Sequence, residues 1–427
     1  MKGFNIRHSI GMIAIFAAVS LSLVGCSSGS SSPPAHVTVS FWNGLTGSDK
    51  PSVDAMVSAF NASQSRITVT NDAMPWDTLF QKALPSIAAN AGPSVMSVDV
   101  NMIGQYVDAG ALQPLDDFYG KGKLDDQNLV KSAVNATAVK GSKYGIPLSF
   151  FTIMLYWNKD LFAKAGYDHP PATWDEFKEM ASKLTITKPG SAKPDQYAIA
   201  LADHDGTQAF QSLLWNSGGG VFSADGTKPT LDDPATLAGL NFWVGLVRNQ
   251  HISPIGATGA DADALFQSGK AAMLFEGPWV APTFKNAGLN FGVARTPKGP
   301  AGQYTLAGSL SFGVPSNIKS DVKQAVYEFA AFWNSRSKQA TYVSTTGFPS
   351  TRSDLKASDF ASNPFPGIFG DPTVTSASRM YTVGVRNGTK IDTTVFVPAL
   401  QKALNGVGSV DDLFRQAQKD ALAIDNS

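Results

Sequence analysis

Tryptophans set beside short planar side chains are the residues of this chain best placed to do chemistry. Trp42, Trp76, Trp215 and Trp279 sit at strand ends or turns, with Asn43 after the first, Asp77 after the second and Glu276 just before the last. Asp99 and Asn101 follow the apolar run Val95–Val98. An indole offers a flat apolar face, and Asp, Glu and Asn offer planar donors or acceptors; together they can hold a small ligand. Each also has a bland alternative. Trp42, Trp76 and Trp215 could equally be core, Asp77 could cap a helix, and Glu276 could be a satisfied anchor. Trp174, Trp243 and Trp333 follow a cap or lie on apolar stripes and read as packing; Trp157 leans the same way.

Catalytic and metal readings find less support. Acid pairs for glycoside hydrolysis are available, but spacing along the chain does not establish their separation in space. There is no Gly-x-Ser-x-Gly elbow, His-Glu-x-x-His or Gly-Lys-Ser/Thr phosphate loop, and the five His are scattered. Asp203 and Asp205 around His204 supply too few oxygens for a hard ion and read as a polar loop. Gly218-Gly219-Gly220 reads as a turn. No cofactor and no metal are expected.

The elements that must position these residues alternate. Val37–Trp42 reads as a strand, and a helix from about Ser52 carries Val53, Met56, Val57 and Phe60 at i, i+3, i+4, i+7. Ile67–Val69 is a second strand, Phe80, Leu84 and Ile87 mark a helix interrupted by Pro85, and Val95–Val98 is a third strand. This is the pattern of an α/β domain with a mainly parallel sheet, where ligands lie at the carboxyl ends of strands. Tyr144–Phe150 and Ser309–Val314 look like two crossings into other territory. Between them come a strand at Ile153–Trp157, a helix capped by Thr173 with Glu176 at box spacing, helices near 207–216, 234–249 and 261–268, and a strand at 270–275. Helices at 321–335 and 410–424 follow, with loop and short helical turns over 352–378.

Composition limits the partners. The 427 residues carry 34 Lys+Arg against 34 Asp+Glu and are 43% hydrophobic, which excludes a disordered chain and a basic nucleic-acid surface. The length favours two domains. The single cysteine, Cys26, excludes an intramolecular disulfide. Lys2, Arg7 and His8 precede an apolar run, Ile10–Leu23, which suits an export signal over 1–25 better than a membrane span. Leu23-Val24-Gly25-Cys26 resembles the bacterial lipobox, which implies acylation of Cys26, and residues 26–36 form a Ser/Gly/Pro-rich tether.

The order of motifs resembles the extracellular solute-binding lipoproteins of ABC importers, the sugar-binding family that includes maltose- and glycerol-3-phosphate-binding proteins. Phe41-Trp-Asn-Gly44, Gly92-Pro-Ser-Val95, Tyr144-Gly-Ile-Pro147 and Leu155–Gly166 carry the resemblance. So do Pro171–Phe177, Phe266–Met273, Gly277-Pro-Trp279 and Gly347–Ser350. Ser94 and Trp157 depart from the usual Asp and Tyr. The resemblance implies an α/β, two-lobed periplasmic-binding-protein-like fold with hinge strands and an inter-domain ligand cleft. The lobes would take 37–145 plus about 310–350, and 146–309 plus about 351–427. It also implies a carbohydrate or polyol ligand stacked on Trp279, an ABC permease partner, no enzyme activity, a monomer, and a lipid-anchored position on the extracytoplasmic face of the membrane. Arg386 resembles the late polar contact of glycerol-phosphate binders, though it could also clamp sugar hydroxyls or face solvent. The rivals are a glycerol-3-phosphate or glycerophosphodiester receptor and a secreted glycan-degrading enzyme.

Overall fold

In the computed structural model, which describes residues 36–47, 49–120, 128–204, 207–382, 385 and 387–425, the alternating Val37–Asn43 forms strand β1. Cys26 with its leader and most of its tether, Asp205 and Arg386 lie outside the described residues. Helix α1 (Lys50–Ser63) buries Val53, Met56, Val57 and Phe60, the expected stripe. Strand β2 (Ile67–Ala73) leads to α2 (Trp76–Ala88), and β3 (Val95–Asp99) follows. Helix α2 buries Leu79, Ala83 and the expected Ile87 more deeply than the expected Phe80 and Leu84. Pro85 is tolerated inside it because it falls in the last turn. Strand β1 runs parallel to both β2 and β3.

The middle of the chain builds a second sheet. Strands β4 (Ile146–Thr152) and β5 (Met154–Asn158) precede α3 (Trp174–Leu184). Thr173 caps α3 by accepting from Glu176 N at 3.2 Å, while the Glu176 carboxylate accepts from Ala172 N at 2.6 Å. The return half of the expected capping box is thus displaced by one residue. Then come β6 (Tyr197–Ala200), α4 (Gln208–Ser217), α5 (Pro234–Gln250), α6 (Gly259–Gln267), β7 (Ala271–Glu276) and β8 (Phe291–Ala294). The strand order is β8-β5-β7-β6.

Strand β9 (Thr305–Gly313) ties the two parts together. It is followed by α7 (Ser320–Trp333), α8 (Arg336–Thr346), β10 (Ser378–Arg379), α9 (Val397–Leu404) and α10 (Val410–Asp425). Helix α8 and the helical stretch 388–404 go beyond the expected elements. The first sheet is ordered β10-β9-β3-β1-β2, with β4 also paired to β9. From Ala307 to Phe312, β9 runs antiparallel to β4, while Leu310–Gly313 pair with β3.

Four apolar clusters result among the described residues, two of them large. Phe41, Phe60, Phe312, Phe329 and Trp333 form the centre of the first, joined by Ile146, Leu148 and Leu310. Leu155, Trp157, Phe177, Trp243, Leu306 and Phe396 belong to the second. Strand β9 contributes Leu306 to one and Leu310 and Phe312 to the other, and Phe151 of β4 packs against both. Trp333 is fully buried and its indole N–H donates to Leu148 O at 2.9 Å, so burial leaves no orphaned donor.

Candidate ligand-binding site

The carboxyl ends of β1 and β3 hold polar side chains that are already partnered. Asn43 is fully buried; its amide donates to Asn71 Oδ1 (2.6 Å) and its Oδ1 accepts from Leu45 N (3.2 Å). Asn71 donates in turn to Asp54, which also accepts from Lys50, both at 2.6 Å. Trp42 packs among Leu79, Ala83, Met96 and Val98, and Lys82 Nζ lies 4.2 Å from the centre of its ring. Asp99 Oδ1 accepts from both Asn101 N and Asn101 Nδ2 at 2.8 Å. Burial pushes the Asp99 carboxyl above its usual range, against those two hydrogen bonds. The same bonds turn the Asn101 oxygen toward Thr382 N, which donates to it at 3.0 Å. Asn101 thereby joins the first sheet to the segment after β10.

Two indoles are folded back onto glycines at strand ends. A Cβ on Gly44 would fall 2.0 Å from the Trp76 ring, and one on Gly277 would fall 2.1 Å from the Trp279 ring. Only glycine admits either approach. Trp76 stays half-buried beside Phe80, with ring centres 5.5 Å apart. Asp77 stands on the first turn of α2. Trp279 is half-buried where the cores meet, edge-on to Phe151 of β4 at 5.2 Å and 6.1 Å from Phe348. Glu276 is buried, faces Met154 across the β5–β7 ladder and accepts from Gly277 N at 2.9 Å. Tyr156 donates to Gly277 O at 2.7 Å, which fixes the turn that presents Trp279.

Trp215 borders a cavity of about 640 Å³, with Phe222, Arg379, Tyr381, Lys228 and Asp225 among its other walls. The Tyr381 ring centre lies 5.8 Å from that of Phe222 and 6.4 Å from that of Trp215. The Arg379 guanidinium stacks 3.7 Å above the Tyr304 ring and 5.9 Å from Trp215. Gly218, at φ 92°, ends α4 in the left-handed region and lets the chain turn to form one wall. Hydrogen bonds from Ser223 and Thr227 hold the Asp225 carboxyl down at about 2. Val385, on the same wall, is the sequence neighbour of Arg386.

Phe222, Lys228, Tyr304, Arg379 and Tyr381 were not singled out from sequence. One signal was present: Arg379 and Tyr381 are two apart, so an extended chain puts them on one side. Asn43, Trp42 and Asp99 are not on this cavity wall; Asn101 touches its Thr382 neighbour without lining it.

A profile of the bacterial extracellular solute-binding proteins matches residues 55–365. The sn-glycerol-3-phosphate-binding periplasmic protein UgpB of Brucella abortus is 27% identical over 344 residues, covering 76% of this chain and 78% of its own. The GacH receptor of Streptomyces glaucescens, solved unliganded and with acarbose, superposes with a TM-score of 0.79 at 24% identity, covering 92% of this chain and 99% of its own. The maltose/maltodextrin-binding domain MalE of Bdellovibrio bacteriovorus, bound to maltotriose, superposes with a TM-score of 0.80 at 21% identity, covering 90% and 99%. The two-lobed fold implied by the motif resemblance is the fold of these structures. The named relatives are binding proteins.

Proposed function

Because this chain belongs to the bacterial extracellular solute-binding proteins, we propose that it is a receptor that captures a carbohydrate or polyol and delivers it to an ABC permease. The observation that carries the reading is the cavity wall of Trp215, Phe222 and Tyr381 with the Arg379 guanidinium at its edge. Aromatic faces suit the apolar C–H faces of a sugar ring, and the planar guanidinium suits a pair of hydroxyls. Trp76 and Trp279 are further stacking surfaces toward the junction of the cores, with Glu276, Asp77 and Arg386 as polar contacts. Trp42, Asn43, Asp99 and Asn101, at the carboxyl ends of the first sheet's strands, are further ligand contacts in this reading. The lobes take 37–145 plus about 310–350, and 146–309 plus about 351–427, joined through β4 and β9. Binding favours the closed arrangement of the lobes, and closure is the state a permease distinguishes. The chain acts as a monomer, held on the extracytoplasmic face by acylation at Cys26. The role is capture without turnover.

Intrinsic tryptophan fluorescence tests this directly, with titration of maltotriose, monosaccharides, polyols, glycerol-3-phosphate and glycerophosphocholine. A saturable change with a sugar or polyol is the expected result. A response confined to the phosphorylated compounds would replace the carbohydrate reading with the second one, a glycerol-3-phosphate or glycerophosphodiester receptor. Arg379 and Lys228 on one cavity wall favour that alternative, since both can pair with a phosphate. Release of smaller sugars from oligosaccharides would overturn the capture reading.

A further inference from the structure

Tyr381 stands two residues beyond β10 in a bend, outside any helix or strand, although its ring forms part of the cavity wall. Its backbone is not set by a ladder, so something else must fix the ring. The phenol hydroxyl donates to Asp392 Oδ1 at 2.8 Å. Asp392 opens a single π-helical turn, Asp392–Phe396, a widening that occurs mostly where a side chain has to be re-aimed. Gln211 of α4, 1% exposed, brings Nε2 to 3.5 Å from the same carboxylate oxygen, and its own Oε1 is buried with no hydrogen-bond partner among the described residues. Around the same turn, α10 packs through Phe414, 6.0 Å from Phe396, and α9 contributes Ala399 and Leu400 to the core, while Asp392 itself is half-buried.

Burial pushes the Asp392 carboxyl up to about 6 despite the hydrogen bond from Tyr381. The shortest described hydrogen bond to this carboxylate is the one from Tyr381, so its role is read through that residue.

We propose that Asp392 is a positioning residue: through the Tyr381 hydroxyl it sets the phenol ring in the cavity wall and thereby sets ligand affinity. This rests on the reading of the cavity as the ligand site. As a carboxylate, Asp392 accepts a charge-assisted bond; protonated, it accepts a weaker neutral one. The folded carboxyl lies above its unfolded value, so fold stability rises as pH falls through about 6, whereas affinity falls over the same interval. The groups facing Asp392 are the Tyr381 phenol and the uncharged Gln211. Arg379, Lys228, Asp225 and Asp233 line the cavity with Tyr381, and Asp225, held at about 2, does not titrate in that interval.

The test uses the full chain in detergent, as wild type, Asp392→Asn, Tyr381→Phe and the double variant. Binding of maltotriose and of glycerophosphocholine is measured between about pH 7.5 and about pH 5, with thermal melts alongside. Asp392→Asn is expected to raise Tm at neutral pH, to weaken binding about fivefold, and to flatten its pH profile. Tyr381→Phe is expected to weaken binding equally, and the double variant no further. Asp392→Asn with wild-type affinity and pH profile overturns the proposal, as do losses that simply add. If the wild type binds neither probe, nor any monosaccharide, polyol or glycerol-3-phosphate, the ligand-site reading fails on its own. The melts then decide this proposal: the Tm effects of the two substitutions must couple, and independent effects overturn it.

Discussion

The strand ends of the first sheet and the cavity wall beside α4 are both rich in aromatic and polar residues, yet they use them differently. At the strand ends, the Asn43 side chain and Asp99 Oδ1 already bond neighbours in the same part of the chain. Around the cavity, the Arg379 guanidinium and the Trp215 and Tyr381 rings border open space. A polar residue at a strand's carboxyl end is therefore not by itself a ligand contact. What matters is how much bonding capacity its partners inside the protein leave.

Four substitutions test that contrast, from the largest expected effect to the smallest. Arg379→Ala removes a charged, stacked group from the cavity; affinity for the ligand that titrates the tryptophans should fall by about 2–3 kcal/mol, with little change in Tm. Unchanged affinity would move the site away from this wall. Asn43→Ala leaves Asn71 Oδ1 without this donor and Leu45 N–H without this acceptor, so Tm should fall by the equivalent of about 1–3 kcal/mol, ahead of any loss of affinity. A large affinity loss with normal melting would make Asn43 a ligand contact first and a support second. Trp279→Ala should weaken binding about tenfold if the indole stacks on ligand. If only Tm moves, Trp279 belongs with the packing at the junction of the cores. Asp99→Asn should have the smallest effect, a slight rise in Tm at neutral pH that vanishes on acidification. The sign follows from burial: the folded carboxyl lies above its unfolded value, so the wild type regains stability as pH falls and the acid protonates.

Much of the fold was legible because its signals are local. The Val53–Phe60 stripe and the Thr173 cap each depend on residues a few positions apart, and both form as expected. Helix α2 forms where Phe80, Leu84 and Ile87 mark it and buries Ile87 as read, while Leu79 and Ala83 are buried more deeply than Phe80 and Leu84. The site was less legible because its partners are distant in sequence. Asn43 meets Asn71, Asn101 meets Thr382, and Tyr381 meets Phe222 across 159 positions, none of it visible to a local pattern. Trp215 looked evenly balanced between core and cleft from sequence, and it sits on both: 7% exposed, yet on the cavity wall.

Strand β9 has a consequence for how the molecule melts. All nine of its residues are buried, and it carries side chains into both large apolar cores. Neither half can release it without exposing part of the other, so loss of one core's packing removes support from its companion. Calorimetry should record one endotherm whose van't Hoff and calorimetric enthalpies agree, where two lobes on an independent linker would give two.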